Sequence, residues 1–326
     1  RMSLKDFGWN DSLAAAFAPF AAPGVVPARV TGDFGRGWGV TTDEGEILAE
    51  PAGKLRYRSI KRSELPVAGD WVAVEPRDAE HRARLHAVLP RRTTLSRQAA
   101  GHRRSEEQVL AANLDTVFIV VGLDVAVNQR RIERFITAVR SGGIVPVIVL
   151  NKADLNDAAE GLRADVEKLA GGAPVVTASA TKRGGTKALK PWLGKRQTVA
   201  FLGLSGVGKS SLINRIVGDE LQVVQEVRET DAKGRHTTSN RELFLGPGGV
   251  ILLDTPGMRE FQFWDFDTPL EELFPEVAAL AAACRFRDCR HGTEPGCAVQ
   301  AALTAGTVEL GRVTSYLKLK AERALA

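Results

Sequence analysis

The stretch Gly203-Leu204-Ser205-Gly206-Val207-Gly208-Lys209-Ser210-Ser211 constrains the fold more than any other part of this sequence. It fits G-x-x-x-x-G-K-[ST], the pattern of a loop whose backbone N–H groups wrap around phosphate oxygens. In such a loop the lysine neutralises charge and the hydroxyl holds Mg²⁺. The loop has to sit between a strand and a helix. The apolar run Thr198-Val199-Ala200-Phe201-Leu202 precedes it and a helical pattern follows from Lys209. A Gly-rich turn without a ligand is the rival reading. The loop lies nearly two thirds of the way along a chain of 326 residues, whereas nucleotide-binding domains of this kind usually open with it.

Two further segments fit the same site. Asp254-Thr255-Pro256-Gly257 follows the strand pattern Gly249-Val250-Ile251-Leu252-Leu253, which puts a carboxylate at a strand tip, where it can orient the water shell of Mg²⁺. The N–H of Gly257 is then available to a terminal phosphate. Asn151-Lys152-Ala153-Asp154 follows the apolar run 145–150. Asp154 can accept two N–H donors from one edge of guanine, and Asn151 offers an amide to the opposite edge. Adenine lacks that paired donor edge and would leave a polar group unsatisfied, so the motif selects GTP and GDP over ATP. A polar strand-to-helix turn capped by Asp154 is the bland alternative. Ser179-Ala180 is a weaker signal that counts only by position.

Around these motifs, apolar strands alternate with helical patterns from 116 to 254, which predicts an α/β domain with a parallel sheet covered on both faces. Residues 28–90 read instead as short β segments separated by glycine and polar turns, the texture of a small β-barrel. The resulting division is a lead-in segment at 1–24, an OB-type barrel at 25–92, a basic linker at 93–110, a GTPase domain at 111–265 and a helical tail at 266–326. The Ala/Pro-rich beginning reads as a flexible lead-in.

All three cysteines fall in the tail, and Cys284, Cys289, His291 and Cys297 form a C-x4-C-x-H-x5-C cluster. Three thiolates and an imidazole suffice for one closed, tetrahedral structural Zn²⁺ site with no open position for catalysis. Reduced core cysteines are the alternative. Arg285, Arg287 and Arg290 interleave with the ligands and suit phosphate contacts. In the barrel, Lys54, Arg56, Tyr57, Arg58, Lys61 and Arg62 form a basic run, and Trp38 and Trp71 offer rings for base stacking. Arg91, Arg92, Arg97, Arg103 and Arg104 extend it. Net charge of +5 permits a polyanionic partner without demanding one. No apolar stretch of about 18 residues or signal-peptide pattern is evident, so the expectation is a cytoplasmic protein that does not enter membranes.

The motif order, with Asn151–Asp154 and Ser179-Ala180 ahead of the phosphate loop, then Gly234-Arg235-His236-Thr237-Thr238 and Asp254–Gly257, resembles the circularly permuted GTPases. With the flanking barrel and the cysteine cluster, it is most similar to the branch that depends on the small ribosomal subunit. The resemblance runs from about residue 25 to the end. It implies a GTPase stimulated by the 30S subunit, contact with 16S rRNA during late maturation, and action as a monomer. It also implies that Thr238, with Thr237 close behind, joins Ser210 on Mg²⁺. Related enzymes orient the attacking water with a glutamine just after the Asp-x-x-Gly glycine, but Met258 stands there, and His236 is the substitute by motif logic. A non-enzymatic GTP-sensing RNA scaffold and a P-loop kinase remain as rival readings.

Overall fold

A computed structural model describes residues 3–35, 37–51, 62–77, 82–98, 107–204, 206–218, 242–254, 271, 274–286, 288–292 and 294–324. Contacts divide the chain into two units. The larger holds Arg1–Ala99, Arg104–Gly203 and Val207–Pro256; the smaller holds Gly257–Ala326 with Ala100–Arg103 and Leu204–Gly206.

The first strands are β1 (Val26–Asp33), β2 (Trp38–Thr41), β3 (Glu46–Pro51), β4 (Trp71–Arg77) and β5 (Arg82–Val88). They close into a barrel in the order β1-β2-β3-β5-β4, with β3 and β5 parallel and the other pairs antiparallel. Closure leaves no free edge. Its core is built by alternation: Ala28 and Val30, Val72 and Val74, and Ala83 and Leu85 are each two residues apart and buried together.

Two segments differ from the sequence expectation. The beginning of the chain, expected as a flexible lead-in, forms helix α1 (Asp11–Phe17) and buries Leu4 and Phe7. Trp9 packs on Trp71 at 5.0 Å between centroids. Asn10 starts α1 by accepting the N–H of Leu13. Within 93–110, expected as an aperiodic linker or an ordered surface loop, β6 (Thr94–Gln98) and β7 (Glu107–Ala112) pair antiparallel, with a register shift between Leu95 and Ser96. Each strand is fixed by a partner nine or more residues away, which a local pattern does not register.

The central sheet is made by β8 (Thr116–Gly122), β9 (Val145–Asn151), β10 (Val175–Thr177), β11 (Thr198–Leu202), β12 (Glu242–Leu245) and β13 (Ile251–Asp254). Its spatial order is β10-β9-β8-β11-β13-β12, parallel except for β12. The near-continuous apolar strands agree with this, since both faces are covered. Helix α2 (Gln129–Ser141) buries Ile132, Phe135, Ile136 and Val139, one stripe at helical spacing. Helices α3 (Ala159–Leu169) and α4 (Lys209–Val217) follow β9 and β11. The chain lays down β8, β9 and β10 outward in one direction, then returns to place β11 on the other side of β8. Ligands of open α/β sheets bind beyond the carboxyl ends of the strands at such a reversal.

In the smaller unit, α5 (Pro275–Ala282), α6 (Ala298–Thr304) and α7 (Leu310–Ala324) enclose a small core that includes Phe274, Val277, Val299, Val313 and Tyr316. Arg312 ties α7 to α5 through Glu276 at 2.6 Å and lies over the Phe274 ring at 4.6 Å. No helix among the described residues is long and apolar enough to cross a membrane.

Candidate functional site

Parallel pairing brings the motifs together. Because β8, β9, β10, β11 and β13 all run in one direction, the residues after each of them emerge at the same end of the sheet. Gly122 pairs with Asn151 in register, and Leu202 lies opposite Ile119 one strand further on.

The phosphate loop turns from β11 into α4. Gly203 has φ +151°, and a Cβ there would lie 2.3 Å from the Val120 carbonyl oxygen of the adjacent strand. Gly208 has φ +93°, and its Cβ would lie 2.3 Å from Nδ2 of Asn151. Both positions therefore exclude any side chain, by space and by backbone conformation. Ser210 and Ser211 follow in the exposed first turn of α4, where backbone N–H groups lack intrahelical partners. Leu204 and Gly206 continue the loop in sequence, with Gly206 at φ +82°.

Lys209 Nζ donates to the Gly203 carbonyl at 2.8 Å, folding the side chain back over its own loop. Burial pushes its pKa down to about 8, and the carboxylate of Asp254 opposes the shift. Asp254 ends β13, beside β11, with its backbone paired to Glu242 of β12. Asn151 is 1% exposed and gives its amide N–H to the Val207 carbonyl at 2.8 Å, while its Oδ1 accepts no hydrogen bond from any described residue. The Asn151–Asp154 segment is thereby joined directly to the glycine-rich loop after β11.

On the far side of Asn151, Lys152 takes the left-handed conformation at φ +61° and binds Asp124 Oδ2 at 2.5 Å. That turn delivers Asp154 to the surface. Ala153 N–H donates to Ala178 O at 3.1 Å, which joins the loop after β9 to the one after β10 and places Asp154 beside Ser179-Ala180. The Ser179 hydroxyl, with that of Thr181 at 3.1 Å, hydrogen-bonds the Asp154 carboxylate and holds its pKa below the ordinary aspartate value. The group is an exposed, ionised acceptor, as a pair of N–H donors requires. Asp124 and Thr181 are site residues that sequence reasoning missed. Asp124 had a usable signal: it stands two residues past the end of a strand neighbouring the phosphate loop.

His236, Thr237, Thr238, Gly257, Met258 and Ser205 lie outside the described residues. So do Lys54, Arg56, Tyr57, Arg58, Lys61, Arg103, Arg104 and Arg287. Among the remaining basic and aromatic candidates, the reading needs correction. Trp71 is 3% exposed, so its ring packs in the protein and offers no face to a base. Arg91 is engaged internally, with Nε and Nη2 both on the Asp70 carboxylate at 2.8 Å and further bonds to the Ser63 and Leu65 carbonyls. Arg92 pairs with Asp115 at 2.6 Å, yet its side chain stays 61% exposed, so the expectation for it is not overturned. Arg285, stacked 5.4 Å from the Phe286 ring, and Arg290 remain exposed.

In the smaller unit the ligand atoms of Cys284, Cys289, His291 and Cys297 all lie within 4.8 Å of one another. Cys284 Sγ is 3.5 Å from His291 Nδ1 and 3.9 Å from Cys297 Sγ; Cys297 Sγ is 3.6 Å from His291 Nδ1. A tetrahedron with Zn–S bonds of 2.3 Å has S···S edges of about 3.8 Å, so the donor set fits the ion. His291 N–H and Gln300 N–H point to Cys289 and Cys297 sulfurs at 3.4 Å, and Gln300 Nε2 holds the His291 carbonyl at 2.6 Å. Such N–H···S contacts favour thiolates. Burial pushes the Cys289 thiol up to about 11, so a metal would have to displace a firmly held proton there.

Residues 88–264 match the profile of the RsgA GTPase family. A protein of Opitutus terrae named small ribosomal subunit biogenesis GTPase RsgA is 48% identical over 334 residues, covering 100% of this chain and 91% of its own length. Among solved structures, YjeQ from Thermotoga maritima superposes with a TM-score of 0.54 at 27% identity, over 92% of this chain and 99% of that one. YloQ, described as a circularly permuted GTPase, superposes with a TM-score of 0.50 at 23% identity, over 92% and 95%, and supports the fold.

Proposed function

The chain belongs to the RsgA GTPase family, and on that premise we propose that it hydrolyses GTP to GDP and phosphate while assisting late maturation of the 30S ribosomal subunit, which stimulates it. The observation that carries this reading is the clasp between Asn151 and Val207. It supports base recognition and phosphate binding sharing one pocket, although Asn151 and Val207 are 56 residues apart.

In this reading Asp154 accepts the paired N–H donors of guanine, with Ser179, Ala180 and Ala153 framing that end of the pocket. Lys152, anchored by Asp124, fixes the turn that presents Asp154. Lys209 and the N–H groups from Gly203 to Ser211 take the phosphates. Ser210 and Thr238 would hold Mg²⁺ and Asp254 its water shell; when bound, the ion neutralises charge on the transferring phosphoryl group. Water attacks the γ-phosphorus, the bond to the β–γ bridging oxygen breaks, and GDP departs. Met258 has no group able to orient that water, so His236 takes the role, with Thr237 adjacent and Gly257 donating to the γ-phosphate. Cys284, Cys289, His291 and Cys297 would hold one structural Zn²⁺ and present Arg285 and Arg290 to phosphates of 16S rRNA. The barrel serves as the second contact with the subunit, and the protein acts in the cytoplasm as a monomer. The working division stays at 25–92, 111–265 and 266–326.

Steady-state GTP turnover with and without 30S subunits tests this. Strong stimulation is expected, lost in His236→Ala. A rate indifferent to the subunit would favour the GTP-sensing scaffold, the reading that Met258 keeps open. Unchanged stimulated turnover in His236→Ala would remove that residue from the mechanism. A phosphorylated acceptor would point to a kinase.

A further inference from the structure

A cavity of about 560 Å³ opens in the larger unit between the amino-terminal segment, the barrel and the amino ends of β8 and β11. It lies at the opposite end of β11 from Gly203, so it is separate from the nucleotide site. Its volume is that of an ordinary small-molecule site.

One wall is cationic. Arg29, on β1, is 2% exposed, and its guanidinium donates to the Phe7 carbonyl, to Thr198 Oγ1 at 2.9 Å and to the Asn113 carbonyl at 3.5 Å. All three acceptors are neutral, and the Nε–H has no acceptor among the described residues. Burial pulls the pKa of this group down to about 10, with Asp115 and Asp70 acting on it without a hydrogen bond. The cation therefore has no hydrogen-bonded carboxylate among the described residues: Asp115, which lines the same cavity, and Asp70 act on it only through space, and its guanidinium lies 5.2 Å from the centroid of the Trp71 ring, an incompletely compensated charge in a protein interior. Arg196 stands on the same cavity, exposed, with no hydrogen bond or ion pair from its side chain among the described residues. The other wall is apolar, formed by Trp9, Leu13 and Ala16.

The geometry points to a second ligand site here, for a small organic anion with a planar ring, its charged group toward Arg29 and Arg196 and its ring against Trp9. A nucleoside monophosphate and an aromatic carboxylate share that chemistry. A resident anion would supply the hydrogen-bonded carboxylate or phosphate that Arg29 lacks among the described residues, and Trp9, Leu13 and Ala16 of the amino-terminal segment would line it.

The test uses the full chain saturated with GDP and Mg²⁺, so that the guanine site is filled, and titrates AMP, benzoate and inorganic phosphate by calorimetry. AMP or benzoate is expected to saturate with a dissociation constant at or below about 1 mM. Whichever binds names the source. Ser12→Glu, an exposed position at the cavity, or Arg196→Ala should weaken it about tenfold, as expected for one repelled or lost charged contact. GDP affinity, unchanged in both variants, reports that they fold. The proposal is overturned if neither organic anion saturates by about 10 mM, if binding is indifferent to both substitutions, or if inorganic phosphate binds as tightly as the ring-bearing ligand.

Discussion

At the scale of single residues, Lys209 is the group on whose charge the proposed phosphate site depends. Its pKa of about 8, against an ordinary 10.5, means the folded protein without nucleotide sheds this proton while the unfolded chain still holds it. Between those values the unfolded state binds the extra proton, so this group's contribution to stability rises with pH, by about 3 kcal/mol across the window. Phosphate needs the charged form. GDP binding above pH 8 should therefore take up a proton, and affinity should fall by at most about tenfold per pH unit from there. Calorimetry at pH 8.5 in buffers of unlike ionisation enthalpy reads this directly; no exchange, or proton release, contradicts it. The loop glycines were legible in the sequence because the motif is local. The salt bridge from Lys152 to Asp124 was not, since it depends on two strands meeting in register.

At the scale of elements, a buried ion pair locks the foot of the barrel. Asp70 is fully buried and accepts two hydrogen bonds from Arg91 and one from Val67 N–H. Asp70→Ala leaves the Arg91 guanidinium without its carboxylate and is expected to cost about 3–5 kcal/mol in urea unfolding. A loss under about 1 kcal/mol would show that water replaces the carboxylate there. In the tail, Cys297 plays two parts: its sulfur is a candidate metal ligand and also accepts the Gln300 N–H that starts α6. Cys297→Ser keeps an N-cap acceptor but removes a thiolate. Metal analysis should find one zinc per chain in the native protein and less than that in the variant, with loss of helical circular dichroism on chelation. Full helicity in metal-free protein would contradict a structural role. The barrel strands were readable because Val72 and Val74 or Ala83 and Leu85 alternate inward. Strands β6 and β7, and the packing of Leu4 and Phe7, were not, because isolated apolar residues and polar strands carry no period and gain their place only from distant partners.

At the scale of the whole molecule, the order of segments is the unusual feature. A chain beginning at β11 would run through the same sheet as β11, β12, β13, β8, β9, β10; this one enters at β8. The sheet tolerates the change because each strand is fixed by its neighbours, and the site needs only the carboxyl ends to coincide. That the motifs serve one pocket is an expectation drawn from their chemistry. How these segments touch, through Asn151 on Val207 and Ala153 on Ala178, depends on contacts between residues far apart in the chain, which no local pattern carries.

The most direct test of that rotated pocket is competition between GTP and XTP for the Asp154→Asn variant. Xanthine carries a carbonyl where guanine carries the amino group, and an asparagine amide can donate to it. The variant should lose GTP affinity by about 10²–10⁴-fold, the value of two charged hydrogen bonds, and should prefer XTP. Retained GTP affinity, or equal loss of both nucleotides in a folded variant, would mean that Asp154 does not read the base bound over Lys209.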